Sequence, residues 1–265
     1  MSAQIAFYHK SACDISEVGV TATATQGNDY AIQILNRSNL SAWITTGSVD
    51  SDNPYIDVDM VDTKTISDLF LIKHNFKNYT VKYWNGSTFV DFSPAIAETN
   101  YSDDNSNYPV SPVETSKIRI QIFGTQVSDE DKYLYQFVAT DLIGRLQGWP
   151  VIKNPIHGTN VRTSTMLSGK NFVTRNVGGF SCTLEVSNWK NNADLTLIET
   201  LYELTNGFLV YLCGGDESQF SSVRKGYRKE DLFLMKCMED YSPEFVEGLY
   251  KTGLKLSIKL GEVVP

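Results

Sequence analysis

Between Ala31 and Thr140 the apolar positions come in short runs or alternate with polar ones, and Asn, Asp, Ser, Gly and Pro punctuate them, which is the signature of an all-β segment. Lys117–Phe123 states the pattern most clearly. Ile118, Ile120 and Ile122 fall on one side and Lys117, Arg119 and Gln121 on the other, predicting a half-buried strand. Thr80–Trp84 and Ser87–Val90 flank Asn85-Gly86, which predicts a hairpin closed by a type I′ turn, because Asn-Gly tolerates the positive φ angles that turn requires. From Pro94 to Ser116 the chain is too polar to cover a core, and a long surface loop is expected.

Two glycines and two prolines in the run from Asp141 to Pro155 mark a junction, placed at Gly144–Pro150. Beyond it His157–Lys170 reads as a polar arm. Phe172–Val177 and the alternating run from Phe180 to Ser187 read as two strands joined across Gly178-Gly179. One helix is predicted over about 192–205: Asn191 or Asn192 caps it, Asp194 suits its first turn, and Leu195, Ile198, Leu201 and Tyr202 recur at helical spacing. Gly207 ends it. Strands are expected at Phe208–Cys213, Asp231–Met238 and Leu254–Leu260, with a charged loop at Gly214–Glu230. The expected chain is thus mainly β, with one domain at 1–143 and a second at 144–265, the latter a small β-sandwich flanked by one helix.

Charge narrows the partners. The 265 residues carry 23 Lys and Arg against 31 Asp and Glu, net −8, which removes the counterion-release term behind most nucleic-acid affinity. The four cysteines show no C-x-x-C pair, so neither a zinc knuckle nor a dense disulfide framework is indicated, and a reducing compartment fits best. No signal pattern or membrane-length apolar run is present, so the expectation is a soluble protein made in the cytoplasm, with no membrane partner.

Catalytic chemistry finds little support. His9, His74 and His157 stand in no metal-ligand spacing, and the nucleophile-elbow, phosphate-loop and dinucleotide motifs are absent; Ser168-Gly169-Lys170 lacks the upstream glycine of a phosphate loop. Asp57 and Asp59 share a strand face and are the closest thing to an acid–base pair, set against the plainer reading of a solvated charged face. Asp103-Asp104 and Asp129-Glu130-Asp131 read as loop charge, with a calcium loop disfavoured by the missing D-x-[DN]-x-[DN]-G pattern. Sequons at Asn36, Asn39, Asn78 and Asn85 read as polar turns. Cys182, Cys213 and Cys237 read as buried small hydrophobes. The expectation is therefore no enzyme, no cofactor and no metal. The aromatics Trp43, Tyr55, Trp84, Phe89 and Phe92 are accounted for by core packing or, more sharply, by a sugar-stacking platform, for which Trp43 and Tyr55 are the candidate ligand-binding residues.

Residues 20 to 140 resemble the discoidin-like, or galactose-binding-like, jelly-roll module. The resemblance rests on Asn39–Ile44, Tyr55–Asp59, Ile66–Asn75, the hairpin Phe76–Phe92 and Lys117–Phe123, in that order. It implies a β-sandwich that binds sugars, lipids or proteins through loops at one end. Residues 145 to 265 resemble tail proteins of long-tailed bacteriophages, through Gly179–Val186, the helix, Leu204–Gly215 and Arg224–Asp231. That likeness implies the tail-tube fold and a virion structural protein: a ring-forming distal-tail or baseplate component, assembled in the host cytoplasm, with other tail proteins as neighbours and the jelly roll facing outward. The unpaired edges of such a sheet suit ring assembly by strand addition. The alternative is a carbohydrate-binding module that recognises a host surface glycan. A glycosidase or peptidase carrying such a module is a third reading, for which no site is placed.

Overall fold

The computed structural model describes residues 5–36, 41–146, 151–165, 171–189, 192–211, 232–240, 244–246 and 253–263. Two compact units divide the chain, one of Lys10–Leu142 and one of Met1–His9 with Ile143–Pro265. The carboxy-terminal boundary of the first unit lies within one residue of the junction expected at 143/144. Its amino-terminal boundary does not coincide with the chain start. Strand β1 (Ala6–Tyr8) pairs with a strand two hundred residues away, Ala6 opposite Tyr211 and Tyr8 opposite Leu209. Residues 10–142 are therefore an insertion in the second unit. Ala12 N–H donates to the Ala139 carbonyl at 2.8 Å, so the chain enters and leaves the inserted unit side by side.

The inserted unit is built on two long strands, β4 (Tyr55–His74) and β7 (Asn105–Thr125), which pair antiparallel. Their register breaks between Asp59 and Lys64, where Val61 adopts a φ of 64°. On one side of the break Tyr55–Asp59 pairs with β2 (Thr21–Ala24) and with Lys117–Gln121, and the sheet continues through β5 (Phe76–Trp84) to β6 (Phe89–Glu98). On the other side β4 pairs with the start of β7 and with β8 (Tyr133–Thr140), which also pairs β3 (Trp43–Ile44). Both sheet portions contribute to one core, with Trp43, Ile56, Val58, Leu69, Phe76, Tyr79, Ile118, Ile120, Ile122 and Leu134 all at 0% exposure. The three isoleucines are the ones the two-residue period selects.

The stretch from Pro94 to Ser116 is not one long loop: β6 runs on to Glu98 and β7 begins at Asn105. Its polar residues are compatible with strand because pairing with β4 and β5 satisfies the backbone while most of the side chains face away from the core. The hairpin at Asn85-Gly86 forms as expected, Trp84 opposite Phe89, but across a four-residue connection. Gly86 takes a φ of 100°, whereas Asn85 uses its side-chain oxygen to accept the N–H groups of Ser87 and Thr88.

The second unit adds β9 (Leu142–Arg145), β10 (Val151–Thr165), β11 (Asn171–Trp189), β12 (Phe208–Tyr211), β13 (Leu232–Cys237), β14 (Glu244–Val246) and β15 (Gly253–Glu262). Its sheet order is β10-β11-β15-β13-β12-β1-β9, with β14 paired to β15. Helix α1 (Asn192–Glu203) buries Leu197, Ile198 and Leu201 against Phe7, Leu184, Phe208, Val210, Met235, Ile258 and Leu260. The helix is the one the 3.6-residue spacing predicts, and Gly207 follows it with a φ of 84°. Gly178-Gly179 does not separate two strands. β11 runs through the pair, which faces Gly158 at a register shift between His157 and Thr159, a bulge that residues without side chains accommodate. The polar arm beginning at His157 is accordingly a strand to Thr165, paired back to Asn171; its tip at 166–170, the expected loop at 214–230 and Cys213 lie outside the described residues.

Candidate functional site

A partly exposed group of aromatic and charged side chains lies on the outer face of the β2-β4-β7-β5-β6 sheet of the inserted unit. Alternation puts it there: with Ile118, Ile120 and Ile122 inward, Lys117, Arg119 and Gln121 must point outward, and antiparallel partners share a face. Register then sets Asp57 opposite Arg119, Arg119 opposite Lys82 and Lys82 opposite Asp91, a single row across four strands. Asp59 stands opposite Lys117, Tyr55 opposite Gln121 and Trp84 opposite Phe89.

Arg119 is the centre of this face. Its Nε and one terminal nitrogen each donate to the Asp57 carboxylate at 2.7 Å, the two-pronged geometry that charge-assisted pairs favour. Its guanidinium carbon lies 4.1 Å from the Tyr55 ring centroid and 4.2 Å from that of Phe89. Phe89 in turn meets Trp84 edge to face at 5.2 Å. The result is a strip in which Tyr55, Arg119, Phe89 and Trp84 hold one another in place, each partly exposed. The Asp57 bonds hold the Arg119 guanidinium above its ordinary pKa. Lys117 Nζ approaches Asp59 at 2.6 Å and Lys82 Nζ approaches Asp91 at 3.3 Å. Partial burial pulls the Asp59 carboxyl upward, but Lys117 and the Val61 N–H outweigh it and hold that group below the usual range.

The residues nominated from sequence separate on this surface. Tyr55 belongs to the strip. Trp43 does not: it is wholly buried, its indole N–H donates to the Gln26 carbonyl at 2.9 Å, and its ring packs edge-on against Phe76 at 6.3 Å. A ring enclosed on all sides has no face to offer a sugar, and the site is built without it. Asp57 and Asp59 do share a face, yet each is tied to its own cation, so they form the charged surface of a sheet and not an acid–base couple.

The acidic loop at 129–131 is structural. Asp131 accepts the Ser48 N–H and the Thr45 hydroxyl, and Asp129 accepts the Asp50 N–H. Lys132, fully buried, donates to Ser48 Oγ at 3.1 Å and to the Val49 carbonyl at 2.9 Å, pinning residues 48–52 from beneath. Among the described residues no group of three His, Cys, Asp or Glu is placed to hold a metal ion. His74 is enclosed: its Nδ1 accepts the Phe76 N–H, Nε2 faces Ser106 Oγ at 3.3 Å, and Phe76, Tyr79 and Tyr101 surround the ring. Burial pushes its pKa down to about 4. Burial likewise pushes the Cys13, Cys182 and Cys237 thiols up to about 11, leaving them unreactive as nucleophiles. No described helix is long and apolar enough to cross a membrane.

No protein-family model matches the chain, and no curated protein does. Among solved structures, chitosan-binding module 1 of a chitosanase/glucanase from Paenibacillus sp. IK-5 is similar to it at 16% identity and a TM-score of 0.41, over 49% of this chain and 98% of that one. The family 32 carbohydrate-binding module of NanJ from Clostridium perfringens, solved with galactose, gives 15% identity and 0.41 over 52% and 99%. An α-L-fucosidase from Bacteroides thetaiotaomicron gives 16% and 0.40, over 48% of this chain and 28% of its own.

Proposed function

We propose that the inserted unit, residues 10–142, is a carbohydrate-binding module whose ligand lies on the outer sheet face along Tyr55, Arg119, Phe89 and Trp84. The observation that carries this reading is the strip itself. Aromatic rings are held in fixed positions by a guanidinium between two of them, and they are bordered by carboxylates and Gln121. Sugar rings offer an apolar C–H face and a rim of hydroxyls, and such a surface meets both needs. Because the rings are already immobilised, little side-chain entropy remains to be lost on binding. The test is glycan-array binding of the full chain beside its Trp84→Ala and Phe89→Ala variants. Binding that either substitution weakens about tenfold, roughly the loss of one stacking contact, supports the reading. An array without signal, or binding indifferent to both substitutions, overturns it.

A second reading concerns the unit that carries the insertion, and a specific feature favours it. The last pair between β11 and β15 is Ser181 with Gly261, so Asn171–Phe180 of β11 pairs with β10 alone. A two-stranded ribbon extending past its sheet is marginal by itself and gains stability from a neighbour. That suits a ring-forming structural protein with the tail-tube fold, a distal-tail or baseplate component of a phage virion in contact with other tail proteins. Mass photometry and electron microscopy of the purified chain test it. Closed trimers or hexamers support this assignment, and a monomer at high concentration, with no ring in an assembled tail, refutes it.

A further inference from the structure

We infer that the platform selects uncharged glycans and rejects acidic ones, because the three cations set among its rings, Arg119, Lys117 and Lys82, are each paired with a carboxylate of the same face. This rests on the reading of that face as a glycan platform. Arg119 is committed to Asp57 through two hydrogen bonds at 2.7 Å, Lys117 to Asp59 at 2.6 Å and Lys82 to Asp91 at 3.3 Å. The Arg119 guanidinium also lies over the Tyr55 and Phe89 rings.

An acidic sugar, whether a uronic or a sialic acid, needs a cation to replace the water it leaves, and here it meets cations whose charge is matched and carboxylates that repel it. A neutral sugar meets the opposite situation. A paired carboxylate keeps lone pairs free, so Asp57, Asp59 and Asp91 remain able to accept sugar hydroxyls while the rings take the C–H face. The charge balance of the strip is thus a selectivity device: three positive and three negative side chains leave the surface polar without net attraction for an anion.

Removing one carboxylate should free its cation. Asp59→Asn leaves the Asp57–Arg119 clamp and the rings untouched and releases Lys117; Asp91→Asn does the same for Lys82 at a more exposed position. The experiment titrates the full chain with matched pairs: a galacto-oligosaccharide with oligogalacturonate, a gluco-oligosaccharide with its glucuronate, and N-acetyllactosamine with its sialylated form. The native chain is expected to bind the neutral member of at least one pair, with the acidic member about tenfold weaker or worse. Asp59→Asn or Asp91→Asn is expected to tighten binding of the acidic member itself until the gap is within a few-fold, with a salt dependence the native chain lacks; a gap narrowed only by weaker binding of the neutral member overturns charge pairing as its cause. Acidic members bound as tightly as neutral ones by the native chain overturn the selectivity while leaving the platform standing. A gap unchanged in both variants overturns charge pairing as its cause. Silence toward every sugar removes the platform and this inference with it.

Discussion

His74 makes a quantitative demand on the inserted unit. The ring is fully buried, accepts the Phe76 N–H through Nδ1, and is walled by Phe76, Tyr79 and Tyr101, with the Asp103 carboxylate the nearby group that favours its protonation. Burial outweighs Asp103 and sets the pKa near 4 in the folded state, against 6.5 for a free imidazole. The unfolded chain therefore takes up a proton between these two values that the folded chain refuses. Stability is complete above about pH 6.5, falls as the pH drops toward 4, and loses nothing further from this group below that. Each pKa unit is worth about 1.4 kcal/mol, so the loss amounts to about 3 kcal/mol. The assay is urea unfolding at several pH values between 7 and 4, followed through hydrogen exchange of core amides such as Val81 and Ile120 so that the inserted unit alone is read. His74→Asn keeps an acceptor for the Phe76 N–H but cannot titrate, so the difference between the two pH profiles isolates the imidazole from the carboxylates. A native profile that parallels the variant's across this range refutes the reasoning.

Three further outcomes follow from packing. Phe7→Ala empties a fully buried site against Phe208, 5.8 Å away, and should cost about 3–5 kcal/mol; hydrogen exchange should speed up in Phe208–Tyr211 while Ile118–Ile122 keeps its protection, since β1 belongs to the second unit. Gly27→Ala should cost about 2–3 kcal/mol in thermal or urea unfolding, because a Cβ there would stand 2.2 Å from the Ile44 carbonyl oxygen on a backbone with φ of 63°. Lys132→Ala should leave Ser48 Oγ and the Val49 carbonyl without their buried donor, costing about 2 kcal/mol and raising amide exchange at residues 48–52. Unchanged exchange in that loop would show that the ammonium does not hold it.

The sequence carried the fold wherever burial has a local period. Ile118, Ile120 and Ile122, the helix around Ile198 and Leu201, and the alternation ending at Leu260 all lie where that spacing places them. Pairing partners are not local, which is why Ala6–Tyr8 gave no hint that it closes a sheet with Phe208–Tyr211, and why the insertion was not legible. The polar strands of 94–116 are not legible from local pattern because pairing satisfies their backbones, 94–98 by extending the hairpin with β5 and 105–116 against β4, some forty residues away. The same blindness split the site. Tyr55 could be nominated by type, but Trp43 had equal claim until its burial was known, and Arg119, the residue that joins the rings, lies sixty-two positions from its partner Asp57. A signal did exist: Asp57 and Asp59 repeat the two-residue spacing of Lys117 and Arg119 with opposite charge, as cross-strand partners on one wet face should.

The decisive question is where a sugar sits. A crystal structure of the full chain with the best oligosaccharide from the array decides it: the account predicts a sugar ring against Trp84 and Phe89 with hydroxyls directed to Asp57, Asp59 or Gln121. A sugar held instead by the loops at residues 45–53 and 125–131, with the strip bare, would contradict it.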